Sequence, residues 1–131
     1  MDDEGRQTMM WDLFPRVTLV TPNVPEAAAL LNETLAVDEL TRSDQARKLL
    51  ALGPEAVLLK GGHAGGTQSV DLLVTGPTTS ERLVAERVDA SSRGTGCALS
   101  SAIAAGLASG LAMAAACEQA KRYVLKMLAP K

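Results

Sequence analysis

Val17-Thr18-Leu19-Val20-Thr21-Pro22-Asn23-Val24-Pro25-Glu26 opens on a β-branched apolar run and closes on a helix start. The run is short and almost unbroken in its apolarity, the pattern of a strand covered on both faces. Pro22 and Pro25 stop it, and the Ala/Leu-rich residues 26–31 continue as a helix. A second helix is expected over residues 43–52, with Ser43 as its N-cap and Gly53-Pro54 as its stop. Ala56-Val57-Leu58-Leu59-Lys60 then reads as another buried strand. Strand, helix, helix, strand is a crossover unit, so the two strands run parallel with a right-handed connection. The fold class is α/β.

Outward from this unit the elements are simpler. Gly61-Gly62-His63-Ala64-Gly65-Gly66 is a loop. Residues 70–74 and 82–88 are strands joined by a turn over 76–79, an edge hairpin. Helices are expected over about residues 96–108 and 111–128, and residues 1–16 form an irregular lead, helical only near 9–14. Residues 17–131 are expected as one domain: about four strands, a parallel pair plus the hairpin, with helices on both faces. A buried-type first strand in so small a sheet leaves one edge open. Open edges invite pairing, so a homo-oligomer or another association through that edge is expected.

Composition narrows the chemistry. The chain has 131 residues, 47% of them hydrophobic, enough for a packed core. Aromatics are 2% of it (Trp11, Phe14 and Tyr123), which argues against base stacking on nucleic acid. The net charge of −2, with no Lys/Arg cluster, argues against a polyphosphate backbone as partner. Cys97 and Cys117 lie in apolar helical sequence, as reduced buried thiols do, and Met1-Asp2-Asp3-Glu4 is no secretory signal; the expected location is the cytoplasm. The uncharged stretch 97–117 has the length of a membrane span, but Ala, Gly and Ser dominate it and gain little from lipid. No P-loop, dinucleotide or nucleophile-elbow motif is present.

Three constellations carry chemistry. Arg93-Gly94-Thr95-Gly96-Cys97 leads straight into a helix. A Gly-Thr-Gly turn at a helix start aims backbone N–H groups at one point, where the helix dipole adds positive character, so it suits phosphate or a moving phosphoryl group. Cys97 sits where a thiol's pKa falls and where it can take a proton from an attacking hydroxyl. The alternative is a plain glycine-rich helix start with a small buried Cys. Asn23-Val24-Pro25-Glu26 reads first as a capping box, and second as an Asn and a Glu at the ligand-binding edge of a parallel sheet, where Glu26 holds a Mg²⁺-bound water. Lys60-Gly61-Gly62-His63 ends a buried strand: Lys60 is placed to reach a phosphate and Gly62 to let a ligand approach, or the segment is a surface turn. His63 has no metal-spacing partner, and Asp71 reads as a local pairing residue.

In this order and spacing the motifs resemble the hydroxymethylpyrimidine phosphate kinases, over about residues 13–127. The segments that carry the resemblance are residues 20–27, 57–63, 71–73 and 94–105, with Ala120-Lys121-x-Tyr123 at the close. It implies a ribokinase-like three-layer sandwich, here partial, and ATP-dependent phosphorylation of a hydroxymethylpyrimidine or its monophosphate with Mg²⁺. It also implies roles: Asn23 and Glu26 around metal and phosphate, Lys60 near the nucleotide phosphates, Gly94, Thr95 and Gly96 as the anion hole, and Cys97 where most ribokinase relatives carry a catalytic Asp. Gly62, Arg93, Gly94 and Gly96 fall with Lys60 on the nucleotide side. Arg93 departs from the His usual at its position. The family's N-terminal half has no counterpart here, so the expectation is a chain holding the nucleotide side of the site and little of the pyrimidine pocket.

Overall fold

In the computed structural model, residues 2–61, 68–86 and 95–128 are described, and they fall into two compact units, Met1–Glu86 and Arg87–Lys131. The first unit begins with a lead that is helical from residue 3, where helix was expected only near 9–14. Asp2 caps α1 (Asp3–Thr8) by accepting from Gly5 N at 2.7 Å, with Asp3 and Glu4 favourable in its first turn. A π-helical turn, Met9–Leu13, and a short 3-10 turn, Phe14–Arg16, follow without a break. They turn Met10 and Phe14 inward and leave Trp11 66% exposed.

The sheet has the order β1-β2-β3-β4. β1 (Leu19–Val20) pairs in parallel with β2 (Ala56–Leu59), Leu19 opposite Ala56 and Val20 opposite Val57. β2 is antiparallel to β3 (Gln68–Val74), which is antiparallel to β4 (Ser80–Glu86). The parallel pair and the hairpin are as expected, and β1 forms one edge. All four β2 residues are buried, which explains their unbroken apolarity. The core joins Phe14 to Ala27, Leu30, Leu49, Val57 and Leu72.

Two helices fill the crossover. α2 (Val24–Leu31) ends on Asn32 in the left-handed region, φ 55°, with Glu33 N donating to Ala28 O at 2.9 Å. α3 (Glu39–Leu50) starts a turn before the expected Ser43. Asp38 is its cap, accepting from Thr41 N at 2.8 Å, and hydrogen bonds from the Thr41 side chain and then its backbone hold the Asp38 carboxyl below its ordinary value. Ser43 is mid-helix and bonds Arg47 instead. Gly53, after α3, has φ 123°, and a Cβ there would stand 2.7 Å from Pro15 Cα. Arg82 pairs with Glu39 at 3.0 Å, tying α3 to the hairpin.

The second unit is a helical hairpin of α4 (Thr95–Ala108) and α5 (Met113–Leu128). Gly110 at φ 97° stops α4, with Leu111 N donating to Gly106 O at 3.0 Å and Gly110 N to Leu107 O at 3.1 Å. A Cβ on Gly106 would lie 3.2 Å from Ala116 Cβ, so the helices meet closely there. Leu99, Ile103, Ala116, Cys117 and Ala120 are buried. Among the described residues, no helix is long and apolar enough to cross a membrane.

Candidate functional site

The parallel pair decides where chemistry gathers in the first unit. β1 and β2 run the same way, so the residues after each strand emerge at one edge of the sheet. In open α/β sheets that edge is where ligands bind. The pairing continues past the strands: Lys60 N donates to Pro22 O at 2.9 Å, and Asn23 and Lys60 form an isolated parallel bridge. Asn23 and Lys60, remote in sequence, are therefore neighbours through main-chain atoms. Lys60 is half-buried, and no carboxylate among the described residues pairs with its ammonium group.

Glu26 joins them through the start of α2. Asn23 Oδ1 accepts from Glu26 N at 2.8 Å, and Glu26 Oε1 accepts from Asn23 N at 2.9 Å. The capping box is thus formed, with Pro25 in the first turn. It does not exhaust the carboxylate, which has about four acceptor positions. Glu26 is exposed, and its Oε2 makes no hydrogen bond among the described residues. Cap and ligand roles are compatible at one residue.

β3 supplies Asp71, which the sequence marked only as a local pairing residue. The ladder between β2 and β3 runs through the pair Leu59 and Leu72. One step on, Gly61 N donates to the side chain of Asp71, 3.0 Å to Oδ1, in a buried setting. Asp71 is 5% exposed. The signal in the sequence was the misfit itself, since Asp is depleted in strand interiors.

In the second unit, Thr95, Gly96 and Cys97 are the opening residues of α4. Their N–H groups belong to the first helical turn, which has no carbonyl partners within the helix and carries the positive end of its dipole. Gly62, His63, Arg93 and Gly94 lie outside the described residues. Along the hairpin, Ala98, Ser101, Ala105, Tyr123 and Met127 line a groove of about 540 Å³, largely apolar. Among the described residues, no group of three His, Cys, Asp or Glu side chains is placed to hold a metal ion.

The family model described as phosphomethylpyrimidine kinase matches residues 1–131. A hydroxymethylpyrimidine/phosphomethylpyrimidine kinase of Rhizobium meliloti is 43% identical over 114 residues, 86% of this chain and 42% of that protein. The protein of the same description from Salmonella typhimurium is 49% identical over 100 residues, 76% of this chain and 37% of its own length. The chain thus spans less than half the length of these relatives. Among solved structures, the pyridoxal kinase of Bacillus subtilis, determined as an ADP complex, superposes with a TM-score of 0.87 at 33% identity, covering 93% of this chain and 48% of that one. A phosphomethylpyrimidine kinase from Clostridium difficile superposes with a TM-score of 0.77 at 30% identity, covering 98% of this chain and 50% of that one. The fold is ribokinase-like.

Proposed function

This chain belongs to the phosphomethylpyrimidine kinase family, and we propose that it carries the nucleotide side of an ATP-dependent kinase site for hydroxymethylpyrimidine or its phosphate, in thiamine biosynthesis. The observation that carries the reading is the main-chain bridge between Asn23 and Lys60, which sets an amide, a carboxylate and an ammonium group at one strand edge. Phosphoryl transfer asks a protein chiefly for positioned charge and hydrogen-bond donors. Lys60 supplies positive charge for the phosphates. The N–H groups of residues 94–97 take up charge as the γ-phosphoryl group moves in line toward the acceptor oxygen. Cys97 takes or relays the proton of the attacking hydroxyl. Gly62 and Arg93 complete the nucleotide contacts.

The residues present fit Mg²⁺ held through water rather than in a protein cage. Mg²⁺ keeps several waters and uses one or two carboxylates beside phosphate, and Glu26 offers one carboxylate whose second oxygen makes no bond among the described residues. Bound there, the ion would neutralise phosphate charge. Asn23 holds Glu26 in place from the other half of the capping box. The proposed location is the cytoplasm, in keeping with a buried Cys117 that forms no disulfide among the described residues.

A second reading is a partner-dependent module that binds nucleotide weakly. The edge position of β1 favours it, because among the described residues no strand pairs with its outer side, where a strand from a second copy or another chain could add. Calorimetric titration with ATP and Mg²⁺, repeated with hydroxymethylpyrimidine, separates the two. Binding of both, with ADP appearing, supports the kinase. Nucleotide binding without a pyrimidine effect supports the module, and binding of neither overturns both. In an active assembly, Cys97→Ala should cut turnover by about 10²- to 10⁴-fold, the usual range for a proton-transfer group. ATP affinity should hold; equal loss of turnover and affinity would make Cys97 structural.

A further inference from the structure

We propose that Asp71 is a positioning residue for Lys60, acting through the backbone of Gly61. The inference rests on the reading of Lys60 as a phosphate-binding group. Strand interiors disfavour Asp, and a carboxylate that is 5% exposed loses its hydration. A residue that breaks two local rules at once is expected where function requires it. What it gains here is specific. The β2–β3 ladder reaches Leu59 and Leu72 through main-chain pairing. Beyond that pair the β2–β3 register ends, while on its other side Lys60 continues the parallel pairing to Asn23. At that point Asp71 Oδ1 accepts the Gly61 N–H at 3.0 Å, a side-chain bond in place of the next ladder bond.

Gly61 is fitted to this arrangement. A Cβ built on it would stand 2.0 Å from Val70 O, inside the backbone of β3. Only glycine lets the two backbones approach this closely. The Lys60–Gly61 segment is therefore fixed on both sides: Pro22 O holds Lys60 N at 2.9 Å, and Asp71 holds the next amide. With successive amides fixed toward opposite neighbours, the Cα–Cβ direction of Lys60 is set. Remove Asp71 and the amide of Gly61 becomes an unpaired buried donor, which the segment relieves by turning toward water. Lys60 then loses its aim while β1, β2 and their ladder persist.

The test combines NMR with nucleotide titration on the full chain. In the wild type, the Gly61 amide should exchange slowly with solvent and show a through-hydrogen-bond coupling to the Asp71 carboxyl carbon; exchange at the rate of a free loop amide would overturn the proposal before any variant is made. In Asp71→Ala, the backbone order parameters of Lys60 and Gly61 should fall from about 0.85 to below about 0.6, while Val57 and Leu58 stay rigid. Asp71→Asn, which keeps an oxygen acceptor, should restore them. ATP affinity should weaken about tenfold or more in Asp71→Ala, as for a lost hydrogen bond to a charged group, and adenosine affinity should not change. Loosening spread over all of β2, or equal loss for ATP and adenosine, would make Asp71 a fold residue only and sink the idea. If the wild type binds no ATP, the assignment of Lys60 to phosphate falls, and the order parameters still decide whether Asp71 positions it.

Discussion

Glu26→Gln separates the two roles that converge on Glu26. In the structure its Oε1 accepts from Asn23 N at 2.9 Å, and a glutamine oxygen can take the same bond. The substitution therefore keeps the capping box and removes only the charge beside the start of α2. At an exposed helix N-terminus that charge contributes about 0.3–1 kcal/mol. For a unit the size of Met1–Glu86 this lowers Tm by roughly 1–8 °C, taking about 4–8 °C per kcal/mol. Glu26→Ala loses the bond as well, a further ~0.5–1.5 kcal/mol. Metal dependence should behave differently. A carboxylate that orients a Mg²⁺-bound water makes a charge-assisted bond worth about 1.5–3 kcal/mol, so both variants should raise the Mg²⁺ concentration needed for half-maximal ATP binding by roughly tenfold or more. Thermal melts give the first quantity, and calorimetric ATP titrations at graded Mg²⁺ give the second. An unchanged Mg²⁺ requirement in Glu26→Gln, with the small melting shift intact, would leave Glu26 as a helix cap and nothing more.

Two stability predictions follow from local geometry. The Asp38 carboxyl lies below its ordinary value of 3.8 because it accepts from Thr41, so its contribution is fully present above about pH 3.8 and disappears as pH falls below that. Asp38→Asn, which still caps α3, should flatten the fall in stability between about pH 4 and pH 2, read from urea unfolding; an unchanged slope would refute it. Gly53→Ala forces a side chain into φ 123° and against Pro15 Cα, so it should destabilise the first unit by at least about 1–3 kcal/mol. A Tm within 2 °C of wild type would show that the turn relaxes freely.

The sequence announces those elements whose signals are local. Asn23 to Glu26 spells a capping box, and the box forms. The residues of β2 are apolar because both faces and both edges are covered, and they read as a buried strand. The start of α3 is hidden because its first turn has no inward apolar face. Leu40 is 81% exposed, and Gln45, buried at 1%, breaks the apolar period. In the lead, the turn near residues 9–14 was legible, but α1 is hidden for a related reason: it buries no residue, so no apolar period marks it. β1 is shorter than its apolar run because Val17 is still bonded back to Phe14 O, and Pro22 has no N–H to extend the ladder. In the site, Asn23, Glu26 and Lys60 were legible singly, but their adjacency depends on the parallel register. Asp71 was illegible in its role because a carboxylate partnered by a backbone amide ten residues away leaves no spacing motif.

The bridge between Asn23 and Lys60 has a consequence for how this surface can change. Its hydrogen bond is made by main-chain atoms, and every amino acid except proline supplies the N–H that Lys60 donates. Replacing Lys60 therefore alters what the strand edge offers a ligand without altering where it offers it. A library randomised at this position would search ligand chemistry on a fixed frame.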